Sequence, residues 1–79
     1  MKKHMESQLE HLKKVLTWRE EECEDSRQAF VTKAAKYTAE ELVQGRLDGY
    51  FNTLVRDVEG IKSIKAQINL LENMLQSEE

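Results

Sequence analysis

Apolar side chains recur at alternating steps of four and three along nearly the whole of this chain. That rhythm confines it to long helices packed along one seam. In the first half the ladder runs through Met5, Leu9, Leu12, Leu16, Cys23, Phe30 and Tyr37, with Arg19, Ser26 and Lys33 as polar rungs. Alternating four and three is the heptad spacing, which keeps one stripe turned toward a neighbouring helix. The second half repeats it at Leu47, Phe51, Leu54, Val58, Ile61, Ile64, Ile68, Leu71 and Leu75. Its one irregularity is the doubled three-residue step Val58–Ile61–Ile64, a stammer that would overwind the supercoil locally. Gly60 lies inside that step and weakens a helix by about 1 kcal/mol relative to alanine, so a kink or break is expected there.

Between the ladders, Thr38 is followed three residues later by Glu41. This is the capping-box pattern, in which two side chains satisfy backbone N–H groups at a helix start. Glu40 and Glu41 would sit in a first turn and Lys33 and Lys36 in a last turn, where the helix dipole favours each charge. The predicted architecture is one all-α domain spanning residues 1–79. Helix 1 covers about 3–36, a turn lies near 37–39, and helix 2 covers about 39–77. The short connection makes the two helices antiparallel neighbours, and folding about Thr38 would bring Phe30 near Leu47 and Leu9 near Ile68. A rival reading breaks the second arm at Gly45, Gly49 or Gly60 to give three helices. The four-residue spacing of Gly45 and Gly49 permits either close approach of another backbone or a loosened turn after the cap.

A hairpin of this size has little interior. With 79 residues it is near the limit at which a lone core suffices, and such chains add disulfides, metals or subunits. Cys23 is the single cysteine and has no partner within the chain. One cysteine with His4 and His11 does not make a tetrahedral zinc set. Oligomerisation is the remaining route. Apolar residues off the seam (Val15, Trp18, Val43, Tyr50, Leu70 and Met74, with Val55 beside them) are the candidate protein interface. A second hairpin packing there would complete a four-helix bundle of two chains, although scattered exposed apolar residues are also ordinary on any protein.

Chemistry is sparse. Glu20-Glu21-Glu22-Cys23-Glu24-Asp25 is the densest charged run, but consecutive helical residues point all round and do not converge on a cation. Glu20, Glu21, Glu24 and Asp25 are read as a candidate acidic face that could meet a basic partner surface. Acids around Cys23 favour its neutral thiol, so it reads as a core residue rather than a nucleophile. No phosphate loop and no Ser/His/Asp set is present. No catalytic residue, cofactor or metal is therefore assigned, and the chain is not expected to be an enzyme.

The net charge of -3 lacks the basic stripe of a phosphate-backbone binder, so nucleic acid is not the expected partner. Residues 1–38 carry eight basic and seven acidic side chains, and residues 39–79 carry four and eight. No apolar run is long enough for a membrane span, and residues 1–10 lack the apolar segment of a secretory signal.

The stretch Leu42-x-x-Gly45-x-x-x-x-Tyr50-x-x-Leu54-Val55-x-x-Val58-Glu59-Gly60-Ile61 resembles the C-terminal half of small helical proteins encoded by tailed bacteriophages, over residues 42–61 of the 79. The resemblance implies a role in virion assembly or host takeover, and a place in the bacterial cytoplasm or the virion. It assigns no functional residue. The expected function is a structural or assembly module that pairs with itself and with other proteins. The alternative is a small acidic regulator that docks on a host or partner protein.

Overall fold

The computed structural model describes residues 2–77. It is all-α: α1 covers Lys2–Ala34, α2 covers Ala39–Val43 and α3 covers Asp48–Ser77. The long helices α1 and α3 pack along one another in a rod of 58 × 16 × 13 Å. Their direction is antiparallel, because residues late in α1 meet residues early in α3. Ser26 donates to Asp57 and the Phe30 ring faces that of Phe51.

The first reversal forms as the sequence predicts. After Ala34, the N–H groups of Lys36 and Tyr37 donate to the carbonyls three residues back, tightening the last turn. Thr38 then adopts an extended conformation (φ -75°, ψ 165°) and caps α2. Its Oγ1 accepts from the Glu41 N–H at 3.2 Å, while its own N–H donates to the Glu41 carboxylate at 3.1 Å. Both halves of the capping box are made.

The second arm differs from the predicted continuous helix over 39–77, and the break is not at Gly60. It falls at residues 44–47, where Gly45 takes φ +83°. The Arg46 N–H donates to the Glu41 carbonyl and the Gly45 N–H to the Leu42 carbonyl. Those two bonds are the Schellman motif, which ends a helix by placing a glycine in the left-handed region just past the cap. Gly45 therefore ends a helix and does not admit a neighbouring backbone. Gly60 lies within unbroken α3, and a Cβ added at Gly49 or Gly60 would meet nothing within 4 Å.

The inserted α2 shifts the pairing of the long helices. Folding about Thr38 would put residue 51 opposite residue 26, yet Ser26 meets Asp57, six residues further along. The contacts 26–57 and 30–51 are centred on residues 40–42, inside α2.

The seam of α1 follows its predicted ladder. Met5, Leu9, Leu12, Leu16, Cys23, Ser26, Phe30, Lys33 and Tyr37 are all partly buried, and Arg19 alone of the rungs is exposed. On α3 two predicted rungs are wrong: Phe51 and Val58 are 55% and 41% exposed. The covered side chains are Leu47, just before the helix, and Leu54, Asp57, Ile61, Ile64, Ile68, Leu71 and Leu75, with Gly60 also partly buried beside Ile61. From Leu54 onward these side chains alternate three and four without the stammer, because Asp57 and not Val58 takes the rung. The helix thus keeps the unforced heptad period, and its polar rung is satisfied by Ser26.

Only Leu47 and Ile68 fall in the buried class among the described residues, at 6% and 8% exposure. The hairpin has a seam but scarcely a core.

Candidate interaction surfaces

Each candidate interface residue can be placed on this rod. Val15 is half-buried beside the α1 seam, whereas Trp18, Tyr50, Leu70 and Met74 are exposed on the long helices. Val43, at the end of α2, is 87% exposed. Trp18 carries the guanidinium of Arg19 over its ring, 5.7 Å from the centroid, which shields part of one aromatic face by a cation–π contact. These residues come from all three helices.

A tighter grouping lies elsewhere. Phe51, Leu54, Val55, Val58, Glu59 and Lys62 line one shallow depression on α3. Phe51, Val55 and Val58 stand at i, i+4 and i+7, so they share a face, and all three are exposed large hydrophobics. The sequence had placed Phe51 and Val58 inside. The signal that could have moved Val58 outside was its neighbour Asp57, whose spacing from Leu54 and Ile61 continues the seam without a stammer. For Phe51 no neighbour takes the rung, since Tyr50 is exposed as well. Phe51 is braced from the inner side by Phe30, the rings 6.4 Å apart and tilted by 53°, an arrangement suited to edge-to-face contact.

Glu20, Glu21, Glu24 and Asp25 are all exposed on α1. Glu24 does not stand free, since Arg27 Nε donates to its Oε2 at 2.9 Å and Gln28 also reaches it. The Arg27 hydrogen bond holds the Glu24 carboxyl below its ordinary value, and Glu24 raises the Arg27 guanidinium in turn. One acid of the candidate face is thereby neutralised within its own helix.

Cys23 is half-buried on the α1 seam, as its ladder position predicts. His4 and His11 line an open depression with Ser7, Gln8, Leu12 and Gln67. No group of three or more His, Cys, Asp or Glu side chains comes together to hold a metal ion among the described residues. No helix among them is long and apolar enough to cross a membrane.

The fold and these surfaces define the class: a long antiparallel helical hairpin with an apolar face uncovered. No protein-family model matches the chain, and no curated protein or solved structure matches it either.

Proposed function

We propose that this chain is a non-enzymatic assembly module that works as a homo-oligomer, two hairpins pairing into a four-helix bundle that presents further apolar anchors to other proteins. The observation that carries this reading is how little the hairpin covers by itself. Leu47 and Ile68 are its only buried apolar residues among those described, while ten large hydrophobics are exposed. Full burial of one such side chain stabilises by about 1.5–3 kcal/mol, against a backbone ordering cost of about 1–2 kcal/mol per residue. A partner hairpin supplies the missing burial. Trp18, Val43, Leu70 and Met74 then serve as anchors for other chains, since exposed aromatic and flexible apolar side chains gain most when a partner removes them from water. The resemblance over residues 42–61 is compatible with a phage setting and does not choose between virion assembly and host takeover.

Light scattering across a dilution series tests the self-association. The expected mass is twice the 9.3 kDa of one chain. A single-chain mass at every concentration up to hundreds of micromolar would overturn the reading.

One observation favours a second reading, a small acidic regulator docked on a basic partner. Glu20, Glu21 and Asp25 are exposed, and none forms an ion pair among the described residues. Capture of a partner by the wild-type chain, lost in Glu20→Lys with Glu21→Lys, would decide for it.

A further inference from the structure

The α3 face offers a more specific inference, which rests on the homo-oligomer reading. We infer that the exposed stripe Phe51–Val55–Val58 of α3 is the site where a second copy of this chain docks, its α3 running antiparallel across a twofold axis between Val55 and Val58.

The stripe extends beyond its apolar centre. Asp48, Phe51, Val55, Val58, Lys62 and Lys65 follow at steps of three, four, three, four and three, a second heptad stripe beside the seam. All six are exposed. An antiparallel partner related by a twofold axis meets this stripe reversed, as an isologous interface requires. With Val55 on the partner's Val58, Phe51 falls on the partner's Lys62 and Asp48 on the partner's Lys65. Each contact occurs twice. The central contact is apolar, the next sets an ammonium over a phenyl ring, and the outer one joins opposite charges. The stripe is therefore complementary to its own reversal. A parallel partner would instead put Asp48 against Asp48 and Lys62 against Lys62, which like-charge repulsion opposes.

The rod also has area enough for such an interface. The chain exposes 6165 Å², whereas a compact monomer of its mass would expose about 5,000 Å². The excess of roughly 1,200 Å² is larger than the 800 Å² or so that each partner contributes to a standard stable interface. Phe51 is also held from behind by Phe30, so its ring is positioned before a partner arrives and less side-chain freedom is lost on docking.

The test uses the full chain. Val55→Glu with Val58→Glu changes two exposed positions and leaves the α1–α3 seam untouched. Light scattering should then show the mass falling from two chains to one. In a second arm, Cys23→Ala chains carrying Asp48→Cys or Lys65→Cys are oxidised in air with a copper catalyst. The mixed sample should cross-link at least tenfold more than either variant alone. Residue 48 and its own copy would lie about 25 Å apart along the axis, beyond disulfide reach. A wild-type chain that is monomeric overturns the oligomer reading itself. A dimer that survives both glutamates, or 48-to-48 cross-linking in the unmixed Asp48→Cys sample, overturns this interface and leaves oligomerisation standing. Should the glutamate variant lose helicity by circular dichroism as it dissociates, folding is coupled to docking, and the cross-linking arm decides: equal cross-linking in mixed and unmixed samples overturns the interface.

Discussion

Ser26 donates a hydrogen bond to the Asp57 carboxylate at 2.9 Å, from one long helix to the other and partly out of water. Among the described residues it is the one side-chain hydrogen bond that joins α1 to α3. It pairs a polar rung with a polar rung, which apolar rungs on either side cannot match. A slip of the helices would leave both groups without a partner. The bond therefore fixes register, the role for which polar seam residues are best attested.

A double-mutant cycle measures that coupling. Asp57→Ala is expected to cost about 1 kcal/mol in urea denaturation, because the Ser26 hydroxyl loses its acceptor. Combined with Ser26→Ala the losses should fall short of additivity by about 0.5–1.5 kcal/mol. Strictly additive losses would mean that the two side chains do not meet in solution.

Gly45 and Gly60 should respond to alanine with opposite signs. At Gly45 the φ of +83° is a conformation L side chains avoid, and a Cβ would lie 2.7 Å from Asp48 Oδ2. The carboxylate can swing aside but the backbone cannot, so Gly45→Ala should destabilise by about 1–2 kcal/mol. Gly60 is inside a helix with open space around it, so Gly60→Ala should stabilise by about 0.5–1 kcal/mol. Thermal melts of the two variants should shift to either side of the wild type. A loss at Gly60 would restore the kink that the sequence suggested there.

The capping box was legible because it is local: Thr38 and Glu41 need only each other. The α1 seam was legible for a related reason, since its apolar residues leave one stripe to choose. On α3 two stripes compete. Val58 is more apolar than Asp57, so hydrophobicity alone draws the seam one residue away from where it runs there. The partner across the interface decides, because Ser26 can satisfy Asp57, and that pairing depends on a register set by α2 and the Gly45 turn. A glycine's positive φ leaves no mark in the sequence to separate Gly45 from Gly60. The exposed stripe was hidden by the same choice, two of its residues having been spent on the seam.

Substitutions separate the two stripes directly. Ile68→Ala removes a buried side chain and should cost about 2–3 kcal/mol, the lower part of the range for core truncations. Leu12→Ala and Ile64→Ala, on partly buried rungs, should each cost about 1–2 kcal/mol by the same reasoning. Val58→Ala, measured below the concentration at which chains associate, should cost under about 0.5 kcal/mol, as surface changes do. Equal costs at Val58 and Ile68 would return Val58 to the seam.

The cap also gives a pH dependence. Hydrogen bonds from the Thr38 backbone N–H and hydroxyl hold the Glu41 carboxyl below its ordinary value of 4.5. A carboxyl with a lowered folded value binds its proton more readily in the unfolded chain, so falling pH favours unfolding. The contribution of Glu41 is complete above about pH 4.5 and is lost as pH falls from there through the lower folded value. Glu41→Gln keeps an acceptor at the same position, since glutamine also closes the box, but removes the titration. Its stability should be less sensitive to pH in that window than the wild type's. Thr38→Ala should lower stability by about 1 kcal/mol at neutral pH.

Trp18 reports which face of the rod is used in self-association. The sequence placed it in the subunit contact, whereas pairing through α3 has no need of it. Its ring is exposed in the hairpin, with Arg19 over one side. If chains join through Phe51, Val55 and Val58, Trp18 emission should stay at the long wavelength of an exposed indole throughout a dilution series. Over the same range, light scattering should record the fall from two chains to one. Trp18→Ala should then leave the dimer's mass and dilution midpoint within about twofold of wild type, as expected for a residue outside the contact. A blue shift of Trp18 that tracks association, together with a tenfold weaker dimer in Trp18→Ala, would move the contact to α1 and free the α3 stripe for another protein.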